Sequence, residues 1–565
     1  MPVAMPRSRP ASLLLVAALL LASLAALSPR VAQATTVTDC SDLAALKTTL
    51  EAGGTIVIDC GVVTLDFGSE IVIDSDTTID GLGKTTISGA DAHRVIHVVG
   101  SVAGVTVTLR GLAIVDGFVT GSFPANLGGG VYADGRSGKQ VTLHLERMTF
   151  SGNAAGYGGA VTSDGVGGSA KLITMDTSFS SNTAITSGGA IYNDGSIGSA
   201  TVETVNTSFS ENVAPFGGAA YNYSAAGSAT MTTTTTTFTG NSATDWGGAV
   251  FNEGNSGNAT LATTDTTFTG NSATYGGAVF NRGGSTGVAI LETSTTTFSG
   301  NSATAGGAVY NYATGGSASV ETTNTTFSGN SATIFGGAVR NHDTTSGSAT
   351  LITTYTTFSD NAATNGGSVY SSSSSGSALN TFTATIFATS TGNHCYDSGG
   401  STFTSNNFNL ADATDNSCNL TNANDQVVAV AGLAPLANNG GLTQTHALLA
   451  TSPAIDSAAC FQPTDQRGVA RPQDGDANGS ASCDVGAVER IGTTLLGTSI
   501  QRFPSANRIL AGERVQVYFS YDGNQQTNIL VTAQVLPVNC HSGQPLAGAQ
   551  PATNEGLTWQ RNYSR

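Results

Sequence analysis

Residues 268–281 read Phe-Thr-Gly-Asn-Ser-Ala-Thr-Tyr-Gly-Gly-Ala-Val-Phe-Asn, and the pattern returns about every thirty positions through the middle of a 565-residue chain. The phenylalanines are Phe150, Phe179, Phe209, Phe238, Phe268, Phe298, Phe327 and Phe358, at steps of 29 to 31. Three residues after each comes an asparagine, from Asn153 to Asn361, and then a Gly-Gly pair, from Gly158-Gly159 to Gly366-Gly367. A short apolar stretch follows, such as Ala249-Val250-Phe251-Asn252 or Ala308-Val309-Tyr310-Asn311, and then a Gly/Ser turn and a Thr-rich alternating segment such as 261–268. Thr, Val, Phe and Tyr favour strands, and the runs are too short and too punctuated by glycine for helix. A unit holding three short strands cannot close its own core, so the units must stack.

The predicted fold is all-β: a right-handed parallel β-helix of roughly nine or ten coils, each strand paired with its equivalents about 4.8 Å above and below. The Phe column should stack inside, each ring contributing ~1.5–3 kcal/mol of burial. The Asn column should form an amide ladder. The Gly-Gly pair should turn a corner at positive φ, or where a side chain would meet the next coil. Thr should face outward and cover the surface without charge.

Around this repeat, 121–390, the chain divides further. Residues 35–120 read as an N-terminal helical cap and irregular first coils: Leu43, Leu46 and Leu50 share a helical face, Gly53-Gly54 stops it, and strand-like runs follow at 55–59, 70–73, 77–79 and 105–109. Residues 391–489 read as a C-terminal cap domain, and 490–565 as a small β module with strands at 515–520 and 529–535. Residues 1–34 read as a signal peptide. Arg7 and Arg9 precede the apolar run 11–27, and Ala32-Gln33-Ala34 offers a cleavage site. A retained anchor would need about 20 apolar residues. The expected product is exported, with no transmembrane segment after cleavage.

Charged residues make up 10% of the chain and the formal net charge is −17. Without clustered Lys and Arg, binding to nucleic acid or to an anionic membrane is not expected. The cysteines fall into neighbours, Cys40 with Cys60, Cys395 with Cys418 and Cys460 with Cys483, with Cys540 left over. An oxidising compartment makes these readable as disulfides, although spacing alone does not fix connectivity. No Cys-x-x-Cys occurs to suggest zinc or thiol redox chemistry.

Phe268-Thr269-Gly270-Asn271 followed by Gly276-Gly277-Ala278-Val279, recurring in register over 126–370, resembles the repeats of polymorphic outer-membrane proteins. The resemblance implies a surface-exposed β-helical passenger or adhesin. That family ends in a membrane β-barrel and no barrel is read here, so the autotransporter mechanism does not carry over. Residues 392–489 resemble the choice-of-anchor Q domain of secreted bacterial β-helix proteins. The matching pieces include Gly392-Asn393-His394-Cys395, Asn438-Asn439-Gly440-Gly441, Ser452-Pro453-Ala454-Ile455-Asp456, Asp465-Gln466-Arg467-Gly468, Cys483-Asp484-Val485-Gly486-Ala487 and Glu489. This resemblance implies a domain that follows a β-helix, and no catalytic residues. Gly53-Gly54-Thr55-Ile56 and the run 77–83 resemble the opening coils of pectate lyases, a likeness of fold rather than of activity.

Candidate sites are few. Lyase chemistry would need clustered acids holding calcium beside a basic residue. The basic residues of 121–390, Arg136, Lys139, Arg147, Lys171, Arg282 and Arg340, share no column, and the paired carboxylates and motifs of polygalacturonases are absent. Glu203, Glu292 and Glu321 each precede a Phe by six residues and could line one sheet, or could be solvated acids among threonines. His93 and His97 alternate on one strand without an evident third ligand. Asp474, Asp476 and Asn478 have the opening spacing of a calcium loop, but Val485 stands where a bidentate Glu should be; the alternative is an Asp/Asn/Gly turn. Tyr157, Phe216, Trp246, Tyr275 and Phe335 sit at or near their Gly-Gly pairs. Stacked at one corner, they would form a strip able to bind glycans or partner surfaces, or would simply pack over the glycines. The expected function is that of an exported cell-surface or extracellular scaffold in adhesion or in contact with cell-envelope surfaces or glycans, with no chemistry of its own and no cofactor beyond possible calcium. The alternatives are a pectate-lyase-like polysaccharide lyase or hydrolase, and a structural filament component.

Overall fold

Alternation decides each strand. In Asn258–Thr264, Ala259, Leu261 and Thr263 are buried and the intervening residues face outward, the period of two of an extended chain. The next strand, Thr267–Thr269, buries Phe268. Both pair in parallel and in register with their equivalents, so Phe238, Phe268 and Phe298 are direct partners. Repeated along the chain, this pairing gives a parallel β-solenoid of about 11 turns. The computed structural model describes residues 34–492 and the strands Thr494–Arg502 and Val515–Asp522. The signal-peptide segment, the expected strand at 529–535 and Cys540 lie outside the described residues.

The Val-Tyr-Asn strands build a twelve-stranded sheet. It is longer than the regular repeat implies because irregular strands, Ile71–Ile73 and Ile96–Val99 at one end and Cys395–Asp397 at the other, join the same ladder. The Thr-rich and Phe-bearing strands form a 24-stranded sheet. A third, shorter ladder joins them at the corner before the glycines.

From Phe150 to Phe358 the rings stack with centroids 4.7–4.9 Å apart and planes within 3–10°. None is exposed. Beside them each Asn Nδ2 donates to Oδ1 of the next coil's Asn at 2.9–3.0 Å, from Asn153 to Asn361. A second amide ladder lines the twelve-stranded sheet from Asn193 to Asn341 and ends on Asn380 of the larger sheet, at 2.7–3.1 Å. The expectation that Thr faces outward holds for only part of the column. Thr174 pairs with Thr207, Thr204 with Thr236, and so on to Thr353 with Thr385, all buried, with oxygens 2.7–3.1 Å apart. A buried hydroxyl is tolerated when an identical group in the next coil completes its hydrogen bond.

The glycine corner has two causes. Gly247 has φ +67°, and a Cβ on Gly248 would sit 2.0 Å from the carbonyl oxygen of Gly277. The opposite corner is turned by residues with side chains, in the left-handed region at φ 47–52°, from Arg147 to Ala384.

At the N-terminus the helix Leu43–Glu51 covers the first coils with Leu46 and Leu50 and is capped by the Asp42 side chain, which accepts from Ala45 N–H. A disulfide joins Cys40 to Cys60; two more join Cys395 to Cys418 and Cys460 to Cys483. At the other end the solenoid continues to Gln426–Val427, and the chain then doubles back along its own flank. Thr297 Oγ1 donates to the Gln444 carbonyl at 2.6 Å, Asn324 Nδ2 to that of Thr464 at 2.9 Å, and Ala487 N–H donates to Thr357 Oγ1 at 3.0 Å. Residues 431–489 thus form a strap over four coils, with a small core of their own around Tyr355, Ile386, Leu448 and Val485. Thr494–Arg502 and Val515–Asp522 pair antiparallel.

Phe268→Ala should open a cavity in an otherwise unbroken stack and destabilise the solenoid by ~3–5 kcal/mol, read as a lowered denaturation midpoint.

Candidate functional site

In the strand Val250–Gly254, Val250 joins the core and Asn252 joins the amide ladder, so Phe251 and Glu253 must face out. The register then builds an external column from Tyr192, Tyr221, Phe251, Phe280 and Tyr310. These rings are only 1–8% exposed, because a second tier of aromatics lies against them. Trp246 stacks on Phe280 at 5.4 Å and meets Phe251 edge-on at 5.5 Å. Tyr157 leans on Tyr192 at 5.1 Å, Tyr275 on Tyr310 at 5.8 Å, and Phe335 on Tyr370 at 4.5 Å. The corner residues foreseen as a strip or as local packing are therefore both. They cover the sheet rings and keep part of their own faces in solvent.

Charged groups follow the rings on one side. The Tyr192 hydroxyl donates to Asp194 at 2.9 Å, the Tyr132 hydroxyl to Asp164 at 3.0 Å, and the Tyr221 hydroxyl to Glu253. Arg282 pairs with Glu253 at 2.6 Å and lies 5.6 Å from the Trp246 ring centre. Arg340 lies over Tyr310, Phe335 and Tyr370, at 4.6, 4.9 and 5.5 Å. Burial raises the Asp164 carboxyl to about 6 and pushes that of Glu253 up as well. Arg282 Nε and Arg340 Nε are buried without an acceptor. On the other side of the rings runs a shallow trough floored by Ala243, Ala273, Ala303 and Ala332, with serine and threonine hydroxyls on its lips. Rings, charged groups and hydroxyls along one axis suit recognition of an extended ligand.

The pattern Ala-Val-aromatic-Asn conceals the sheet rings, which read as one apolar stretch. The signal that could have found them is the flanking pair: Val and Asn two residues apart, both inside, force the residue between them outward.

The other candidates fall elsewhere. Glu292 and Glu321 are partners in register, both exposed, while Glu203 stands three coils away and pairs with Lys171 at 2.8 Å. His93 meets Asp66 at 3.2 Å, and His97 meets Glu70 at 3.9 Å and stacks on Tyr132. Asp474 and Asp476 are brought together with Asp456, one carboxylate oxygen of each lying within 4.8 Å of the others, and Asn478 adjoins them, its N–H donating to Asp474 and Asp476 and its Nδ2 to Asp476. Each of the six carboxylate oxygens already accepts an N–H, from Gly475, Asp476, Asn478, Gly479 or Ser482. These bonds hold the loop in a turn that gathers the three carboxylates at one point. Asp484 points inward, where burial and the nearby Glu489 raise its carboxyl to about 8. Arg471 pairs with Glu489 and lies 3.9 Å from the Tyr355 ring centre, joining strap to solenoid.

Five of the stacked units match the Chlamydia polymorphic membrane protein repeat. The matches are residues 176–194, 235–253, 265–282, 295–312 and 324–342. These polymorphic-membrane-protein repeats lie where Phe-x-x-Asn and Gly-Gly-Ala-Val recur, and point to a surface or outer-membrane protein. They carry the external rings Tyr192, Phe251, Phe280 and Tyr310 within their boundaries. No curated protein and no solved structure matches the chain. Among the described residues no helix is long and apolar enough to cross a membrane.

Asp484 gives the strap a pH dependence. Its folded value lies above that of an exposed aspartate, so its contribution is complete below pH ~4 and disappears as pH rises through about 8. Thermal unfolding of the full chain should fall in midpoint between pH 5 and 9, and Asp484→Asn should flatten that slope.

Proposed function

We propose that this chain is an exported surface scaffold whose aromatic flank holds a glycan chain of a cell surface or envelope, without chemistry of its own. The observation that carries the proposal is the two-tier column of rings outside the core. The solenoid's interior is complete without it, since the Phe stack and the amide ladders already fill that space. Half-covered tyrosine, phenylalanine and tryptophan faces stack on the apolar faces of sugar rings, and adjacent carboxylates and guanidinium groups bond their hydroxyls. The coil spacing of about 4.8 Å is close to the advance of one sugar in an extended glycan. The chain's net charge of −17 favours neutral or amino sugars over polyuronides. The leader-like N-terminus and the three disulfides agree with an extracellular setting. Residues 391–489 are, in this proposal, a choice-of-anchor Q-like segment that ends the solenoid and precedes an attachment device.

The chain has two tryptophans, Trp246 and Trp559, and Trp246 lies on the proposed face. Titration with neutral and amino glycan oligomers should quench its fluorescence. The double substitution Trp246→Ala, Tyr275→Ala should weaken binding by about tenfold or more. Absence of any response from the glycan panel would overturn the proposal, and release of unsaturated products from polyuronides would replace it with a lyase.

A further inference from the structure

The flank that receives the strap does not stop where the strap stops. The residue before each Phe forms one outward hydroxyl column: Thr149, Ser178, Ser208, Thr237 and Thr267, then Thr297, Thr326 and Thr357. The last three are 0–3% exposed beneath the strap. The first five are open or half-open to solvent. The residue after each Phe changes in step, from half-open Thr269 to buried Ser299. The uncovered stretch is a groove lined by Thr149, Asp176, Ser178, Asn206, Ser208 and Thr237. The same positions, carrying the same class of hydroxyl, therefore form a filled groove over the C-terminal coils and an empty one over the N-terminal coils.

We infer that the open half of this groove receives the strap face of a second copy of the chain, in a two-fold dimer with the solenoids antiparallel. The flank is stepped. The strap stands out over four coils; beside it five hydroxyl-bearing coils are bare, and the bare flank runs on through Ala113, Thr86 and Thr64, so the raised length is about 19 Å and the bare length about 38 Å at ~4.8 Å per coil, room enough for the strap of a second copy. Such a step is complementary to itself when turned by a two-fold axis, and an isologous contact closes at two subunits. Apolar side chains are exposed on both halves: Leu442, Leu449 and Phe461 on the strap at 47–68%, and Met175 and Val205 on the lip of the bare groove at 45% and 38%. Leu442 adjoins Thr443, whose hydroxyl donates to the Thr295 carbonyl at the edge of the step. The axis passes there, bringing the two Leu442 side chains together. The bare groove continues an interface the molecule already makes with itself. The dimer leaves the aromatic flank free, because those rings belong to the twelve-stranded sheet and its corner.

The test is the mass of the full chain in solution across a concentration series, by light scattering coupled to size exclusion. The expected result is a monomer that becomes a dimer and stops there. Ser208→Arg with Thr237→Arg in the bare groove, and Leu442→Arg on the strap, should each raise the dissociation constant by about tenfold or more. Trp246→Ala should leave it unchanged. Ser208, Thr237 and Leu442 are at least partly exposed, and the circular dichroism melts of the groove and strap variants should match that of the parent. A monomer at every concentration, association indifferent to both substitutions, or growth into open-ended polymers would each overturn the inference.

Discussion

Parallel in-register pairing imposes one condition on this molecule: whatever stands at a position in one coil stands about 4.8 Å from its own kind in the next. The long columns are filled by side chains that satisfy themselves, and like-charged columns stay short, as with Asp134, Asp164 and Asp194 or Glu292 and Glu321. A phenyl ring stacks on a phenyl ring. A carboxamide donates with one end and accepts with the other, so an asparagine column closes its own hydrogen bonds. A threonine hydroxyl also does both. A lysine or an aspartate column would repel itself, and the chain is only 10% charged. Composition, core and surface follow from the same condition.

The condition explains which parts were legible in the sequence. The Phe, Asn and Gly-Gly columns announce the coil because each is chemically distinctive and recurs at a fixed step. The helix at 43–51 announces itself through Leu43, Leu46 and Leu50. Threonine misled, because its β-branched form and hydroxyl suit both sides of a strand, and only the pairing of Thr263 with Thr296 shows that it is inside. The external rings were hidden by their neighbours. Phe251 between Ala249-Val250 and Asn252 looks like core until Asn252 is known to be buried. The corner aromatics were visible because they break the polar run before the glycines, and what they rest on was not. Residues 391–489 were readable as a C-terminal cap, but not the strap's course back along the flank. Thr326 bonds Gln466 across 140 residues, and no local period records a contact of that kind.

Departures from the repeat mark where the solenoid does something besides stack. The left-handed corner carries Asp, Asn and Thr in successive coils and then Tyr355, the one aromatic residue in that column between Arg147 and Ala384. Its hydroxyl donates to the Ala459 carbonyl and accepts from Phe461 N–H at 3.1 Å, and Arg471 covers its ring. A groove of repeated hydroxyls offers the strap nearly the same contacts at every coil, so hydrogen bonds to Thr297 and Thr326 cannot by themselves fix its position. Tyr355 can. With Asn324, which bonds the Thr464 carbonyl, it supplies a non-periodic contact that sets the register of a strap on a periodic track.

The external face obeys the same logic with a different outcome. Its ring column is interrupted by Thr162 and Arg340, and its corner column by Ser187 and Ala305, whereas the internal Phe column is unbroken from Phe150 to Phe358. A column that only had to hold coils together would gain from continuity, as the internal one does. The external face instead alternates rings with a guanidinium, small hydroxyls and carboxylates, which places donors, acceptors and apolar faces in sequence along the axis. Arg340 illustrates the difference. It takes the place of a ring, lies among three others and leaves Nε without an acceptor. The three ring faces around the guanidinium take the place of that acceptor.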